Sequence, residues 1–300
     1  MMLKKVLSVF VSVALILALT ITSYAGIVGD TGDACVFSES YGSHERQKYE
    51  AFFPWDHDAD FGVVLFIHGG AYTSGDKSSY WEQCEAVSSK GYAAATMNYR
   101  YMDENVSLHD ILDDIDACLE SIKELGAKWG INISKVLLRG YSAGGHLAML
   151  YAYSRKDTSP IPVTAVVSDA GGPADCSDPY FYRNNILFDA EGGADFMSRA
   201  CDRQFTFATR LSARKELLAI SPITYIGYKP IPTILSYGYL DTIIPYSHGA
   251  LLASTLYNNG CPALFFIEYG NSDHALNNDS KKERETEERF NEFVKYYVGT

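Results

Sequence analysis

A serine between glycines, where an apolar strand run meets a helical pattern, constrains this chain more than any other feature. Residues 135–153 read KVLLRGYSAGGHLAMLYAY. Val136, Leu137 and Leu138 form the short apolar run of a buried parallel strand, and Leu147, Leu150 and Tyr151 then recur at helical spacing. The turn between them, Gly140-Tyr141-Ser142-Ala143-Gly144, has to be tight. Its glycines let strand and helix crowd together, which lifts the Ser142 hydroxyl clear of the sheet. The helix N-terminus points its partial positive charge and free N–H groups at that oxygen. A plain strand–helix turn with Ser142 as N-cap would show the same spacing, so the rest of the chain has to decide.

The surrounding pattern alternates. Residues 61–67 (FGVVLFI) are a continuous apolar run, as expected of a strand covered on both faces. Further strands are expected at 92–97, 163–167, 233–237 and 263–269. Helices are expected at 78–90, 110–129, 246–258 and 281–298. The 110–129 helix shows Ile111, Ile115, Leu119 and Ile122 on one face and acids on the other. Upstream, Tyr49, Phe52 and Phe53 suggest an edge strand. Residues 173–229 lose clean periodicity and are rich in Phe, Tyr, Arg and Asp, which reads as an inserted, mainly helical cap. Such alternation means an α/β fold, a mostly parallel central sheet with helices on both faces. With 300 residues there is chain enough for one large domain, 26–300, carrying the cap.

The first 25 residues read as a secretory signal. Lys4 and Lys5 precede an apolar segment at 6–21, and Ser23-Tyr24-Ala25 offers small residues for cleavage after Ala25. The apolar stretch is short for a membrane span, so a secreted or extracytoplasmic protein is expected, with no stable membrane partner. Loss of this segment takes formal charge from −12 to about −14, because it holds two lysines and no acid. That acidity argues against nucleic acid as a partner. Six cysteines (Cys35, Cys84, Cys118, Cys176, Cys201, Cys261) permit disulfides in an exported chain, and none has metal-like spacing. Cys118 sits on an apolar helix face and reads as core. Cys176 and Cys201, flanking one irregular segment, are the best candidates for a pair.

A serine nucleophile needs a base for its proton and a carboxylate to hold that base in the right tautomer. Three histidines follow Ser142. His146 lies on the same helix one turn on, His248 lies inside a helix, and His274 lies in the loop after the last strand, where it can face Ser142. Asp241, after the 233–237 strand, is the favoured acid because its loop neighbours that of His274. Asp169 and Asp273 are its rivals. An acyl transfer also needs backbone donors for an oxyanion. Ala143 supplies one, and the turn His68-Gly69-Gly70-Ala71 after the 61–67 strand supplies others through Gly70 and Ala71.

At these residues a resemblance is plain. HGGAYTSGDK (68–77), NYR (98–100), GYSAGGHLA (140–148), SPI (221–223), the Asp241 loop and His274 resemble the esterase/lipase group of α/β hydrolases related to hormone-sensitive lipase. The branch most similar holds bacterial carboxylesterases, kynurenine formamidases and bifunctional feruloyl and acetyl-xylan esterases. The resemblance covers roughly residues 41–300. It implies the α/β-hydrolase fold, a Ser142–His274–Asp241 triad, an oxyanion hole at Gly70, Ala71 and Ala143, and no metal or cofactor. Gly69, Tyr72 and Tyr141 would adjoin the substrate. Many relatives carry a third glycine where this chain has Ala71, and Trp where it has Tyr72, so a narrower acyl side is expected. His68 and Arg100 are expected to brace their loops rather than react.

The implied activity is hydrolysis of short-chain or aromatic acyl esters through an acyl-enzyme, with acylated plant polysaccharide a substrate that export would suit. Cap aromatics (Tyr180, Phe181, Tyr182, Phe205, Phe207) either stack on substrate rings or simply pack the cap. The alternatives are a serine exopeptidase of the same fold and a non-catalytic binding protein on this scaffold.

Overall fold

A computed structural model describes residues 27–30, 32, 34–55, 60–183, 185, 187 and 189–299. The signal segment read at 1–25 lies outside the described residues. Among them, nine strands form one sheet: β1 (Ile27–Asp30), β2 (Ala34–Ser40), β3 (Lys48–Pro54), β4 (Asp60–Ile67), β5 (Ala93–Met97), β6 (Asn132–Tyr141), β7 (Val163–Asp169), β8 (Thr233–Gly238) and β9 (Leu264–Tyr269). Their order is β1-β2-β3-β5-β4-β6-β7-β8-β9. The first three pair antiparallel, and every pairing from β5 to β9 is parallel. One expectation is corrected here. The strand carrying Tyr49, Phe52 and Phe53 is not an edge, because β1 and β2 precede it and β3 pairs with β2 and β5.

The continuous apolar run of β4 has a clear cause. Val63, Leu65 and Ile67 enter one core cluster, while Val64 and Phe66 enter another on the opposite face. Side chains alternate across a strand, so a strand with helices on both faces has no polar phase. On the first face lie α2 (Leu108–Lys128), α3 (Ala143–Ser154) and α7 (Tyr246–Asn258). On the second lie α1 (Trp81–Ser88) and α8 (Ser280–Tyr297). Helix α2 starts at a capping box in which Ser107 and Asp110 satisfy each other's backbone N–H. It buries Ile111, Ile115, Leu119 and Ile122, each worth about 1.5–3 kcal/mol, so packing holds it far more than propensity does.

Between β7 and β8 the chain leaves the sheet and folds as short helices, α4 (Pro179–Arg183), α5 (Ala190–Ala200) and α6 (Arg214–Ala219), joined by 3-10 turns. This is the segment read as a cap. Most of its aromatic residues serve packing. Tyr182 is fully buried and donates to the Cys176 carbonyl, and Phe207 lies under the guanidinium groups of Arg183 and Arg210.

The Cys176–Cys201 pairing does not form. Cys176 and Cys201 are both free thiols. The Cys176 thiol turns inward toward the Ile220 carbonyl, 3.5 Å away. Cys201 ends α5 and bonds within its own turn, to the carbonyls of Ser198 and Arg203.

Candidate active site

The site grows from the end of β6. Gly140 lies so close to α3 that an added Cβ would stand 2.2 Å from the Gly144 carbonyl oxygen. A Cβ on Gly144 would stand 1.9 Å from that of Ile67 in β4. Neither position tolerates a side chain, which is why this strand–helix crossing carries both glycines. Between them Ser142 is held at φ 54°, ψ −123°, a conformation that an L-residue keeps only when its surroundings enforce it. The enforcement is visible: Ser142 N–H donates to the Asp169 carbonyl at 2.8 Å, and the Ser142 carbonyl accepts from His146 N–H at 3.0 Å. Helix α3 begins at Ala143, so the Ala143 amide is one of the unpaired N–H groups of a helix start, beside the serine oxygen.

His274 completes the arrangement from the loop after β9. Its Nε2 lies 2.8 Å from Ser142 Oγ, and its Nδ1 lies 2.7 Å from Asp241 Oδ2. The other carboxylate oxygen of Asp241 accepts the backbone N–H groups of Ile243 and Ile244, both at 2.8 Å. Asp241 is thus buried and fixed in orientation, with the His274 ring as the partner of its remaining oxygen. The Tyr141 hydroxyl donates to the His274 carbonyl at 2.9 Å, tying the histidine loop to the serine's own strand. With Nδ1–H on Asp241, Nε2 is left free to accept the Ser142 proton.

The rival acids are engaged elsewhere. Asp169, at the end of β7, pairs with Arg139 at 3.0 Å, and Arg139 also pairs with Glu287 on α8 and lies over the Phe290 ring. Burial would lower the Arg139 pKa, but Asp169 and Glu287 outweigh it and raise it. Asp273 accepts the Ala275 N–H. Of the other histidines, His248 is buried in α7 and His146 is buried in α3.

The loop after β4 carries the remaining candidates. Gly70 carbonyl accepts N–H groups from Thr73 and Ser74, both at 3.0 Å. A trans peptide points its N–H opposite its C=O, so the Ala71 amide is directed out of this turn. His68 anchors the loop: Nδ1–H donates to the Gly69 carbonyl at 2.7 Å, Nε2 lies 3.2 Å from an Arg46 nitrogen, and the ring stacks on Tyr99. Burial lowers its pKa to about 4, so it stays neutral. Arg100 likewise braces, gripping Asp114 through side chain and backbone.

A cavity of about 350 Å3 opens over Ser142 and His274, with Gly70, Ala71, Tyr141 and Ala143 along its base. Two expectations change. Gly69 does not line it, facing instead the side of Arg139 and Asp169. Tyr72 lines it with its ring, but its hydroxyl points away, to His146. Among the other lining residues, Phe181, Leu187, Phe196, Met197, Ile243 and Ile244 are apolar and come from the cap and the Asp241 loop, while Ser74 and Asn185 add polar edges. Only Phe181 among the cap aromatics singled out reaches the cavity. No periodic signal marks the cap residues, since their shared property is a position set by the fold.

The chain is similar to known esterases in sequence and in fold. Esterase LipQ of Mycobacterium tuberculosis is 24% identical over 216 residues, covering 71% of this chain and 50% of that protein. The chain spans about half the length of the curated relatives it matches. Among solved structures, esterase B from Lactobacillus rhamnosis superposes with a TM-score of 0.68 at 20% identity, covering 96% of this chain and 95% of that one. A truncated carbohydrate esterase from gut microbiota superposes with a TM-score of 0.67 at 17% identity, covering 88% and 99%. The BD-FAE family model matches residues 50–256, a span running from β3 through Ser142 and Asp241 into α7. With that match, the chain belongs to the BD-FAE family, within the esterase/lipase group of α/β hydrolases.

Proposed function

We propose that this protein is a serine carboxylic-ester hydrolase, exported after cleavage near Ala25, acting on short-chain or aromatic acyl esters. The observation that carries the reading is the hydrogen-bonded series from Asp241 through His274 to Ser142 beneath an apolar cavity. In this reading Ser142 Oγ attacks the ester carbonyl while His274 Nε2 takes its proton, and Asp241 stabilises the imidazolium that forms. The amides of Ala71 and Ala143, with Gly70, receive the developing negative charge. His274 then gives its proton to the leaving alcohol, and water frees the acid by the same route.

The cavity's lining supports an uncharged, apolar acyl group. None of the described residues lining it is acidic, which disfavours the exopeptidase reading, since a peptide amine needs a carboxylate partner. Its volume lies at the small end of ligand sites, so acyl groups of two to about six carbons and a flat aromatic acyl fit best. Export suits an ester that cannot enter the cell, such as acylated plant polysaccharide.

The test is turnover of p-nitrophenyl acetate, butyrate and decanoate, methyl ferulate and acetylated xylan by the purified chain and by Ser142→Ala. Hydrolysis of the short and aromatic esters is expected, with kcat about 10³-fold lower or more in the variant. A variant as active as wild type would refute the mechanism, and a preference for decanoate would refute the substrate class.

A further inference from the structure

One buried polar contact joins two parts of the site that the proposed mechanism requires to be in register. Tyr72 follows Ala71 in the loop after β4, and both residues are in the left-handed region, at φ 62° and 51°. That conformation is uncommon for non-glycine residues and persists where the structure over-determines it. Here the Tyr72 carbonyl accepts the Met102 N–H at 2.9 Å. The hydroxyl at the other end reaches His146 Nδ1, also at 2.9 Å. Both side chains are buried, Tyr72 at 4% exposure and His146 at 0%.

His146 in turn belongs to the serine's helix. Its N–H donates to the Ser142 carbonyl, and its Nε2 lies 4.0 Å from the Cys176 thiol of the cap, which itself turns to the Ile220 carbonyl. The Tyr72 hydroxyl and His146 Nδ1 share this hydrogen bond inside the protein. A single imidazole therefore links the helix that starts at Ala143, the loop that carries the Ala71 amide, and the cap.

We propose that Tyr72 and His146 are positioning residues for the two oxyanion donors. Their hydrogen bond fixes the Ala71 amide relative to the Ala143 amide. The inference rests on the ester-hydrolase reading, because only a developing oxyanion needs both amides at once. A donor displaced by about 1 Å can cost on the order of 10²-fold in rate, and loss of one oxyanion donor costs 10²–10³-fold. Loss of this bond therefore lowers kcat and leaves substrate binding in the apolar cavity nearly unchanged.

The test compares Tyr72→Phe, His146→Asn and His146→Gln with wild type on p-nitrophenyl butyrate. Hydrolysis by wild type, and its loss in Ser142→Ala, establish the underlying reading first; an inactive wild type overturns that reading and this inference with it. Tyr72→Phe should lower kcat roughly 10- to 100-fold with KM within about threefold. It should weaken inhibition by a trifluoromethyl ketone, whose adduct carries the oxyanion, by a similar factor. His146→Asn keeps an amide oxygen near the Nδ1 position and should stay within a few-fold of wild type. His146→Gln keeps an amide only near the Nε2 position and should resemble Tyr72→Phe. The double variant Tyr72→Phe/His146→Gln should be no slower than either single. An active, folded Tyr72→Phe with kcat within twofold of wild type overturns the proposal. So does full additivity in the double variant. If Tyr72→Phe does not fold, the histidine pair decides: equal kcat in His146→Asn and His146→Gln overturns it.

Discussion

The ends of β7 and β8 lie side by side, and each carries a buried aspartate, Asp169 at 9% exposure and Asp241 at 6%. They nevertheless have different tasks. Asp169 is held by Arg139, which bridges it to Glu287 on α8, and its backbone carbonyl receives the Ser142 N–H. Among the described residues, no Lys or Arg pairs with Asp241. Two backbone amides fix one oxygen, and the other is offered to His274. A carboxylate beside a guanidinium is spent on structure. One held by neutral amides keeps its charge available for an imidazolium.

The comparison yields predictions of decreasing size. Asp241→Asn should lower kcat by about 10³- to 10⁴-fold, since an amide can hold His274 in the wrong tautomer. Asp169→Asn should change kcat far less, and steady-state kinetics on one short ester settles the order. Damage in the reverse order would break the comparison.

Stability should separate the same two residues in the opposite sense. Asp169→Asn leaves Arg139, a buried guanidinium, with only Glu287, and breaking a buried pair typically costs 3–5 kcal/mol. Asp241→Asn strands no Lys or Arg and should unfold closer to wild type in denaturant titration.

Acid should weaken the base on which both strand ends rest. Burial lowers the His146 pKa from 6.5 to about 4, with the Ile220 carbonyl partly opposing. Between those pH values the unfolded chain binds a proton that the folded chain does not. Stability is therefore present above about pH 6.5 and falls as pH drops toward 4, by on the order of 2–3 kcal/mol for this one group. His146→Asn should flatten part of the decline in melting temperature over that range. An unchanged slope would mean that His146 does not titrate between the two states.

The smallest effect concerns Tyr141, which lies beside both ends. Tyr141→Phe removes the hydroxyl bonded to the His274 carbonyl, a neutral hydrogen bond worth about 0.5–1.5 kcal/mol. A several-fold fall in kcat is expected. A larger loss in kcat than in Asp169→Asn is also expected, because Tyr141 is hydrogen-bonded to His274 while the Asp169 carboxylate is paired with Arg139.

Much of this was legible in the sequence, for reasons that can be named. The β4 and β6 runs and the Ser142 turn are local patterns whose chemistry dictates residue type, and all three stand where the pattern put them. Asp241 and His274 were found because strand ends in a parallel sheet converge, so two loops distant in sequence could be read as neighbours. What failed was information carried only by tertiary position. Tyr49, Phe52 and Phe53 suggested an edge strand, yet β2 covers that edge through ordinary pairing. Cys176 and Cys201 bracket one segment, yet their side chains turn to different carbonyls. Tyr72 lines the cavity with its ring, as expected, but nothing in the sequence marked that its hydroxyl would reach a histidine 74 residues away.

The central claim is that Ser142 is the nucleophile, and covalent labelling tests it most directly. The purified chain is treated with paraoxon, activity on p-nitrophenyl butyrate is followed, and the protein is digested and mapped by mass spectrometry. The account predicts one diethylphosphoryl group per chain, on Ser142, appearing in step with loss of activity and absent from Ser142→Ala. Complete inactivation with Ser142 unmodified, or full esterase activity surviving a stoichiometric label on Ser142, would contradict it.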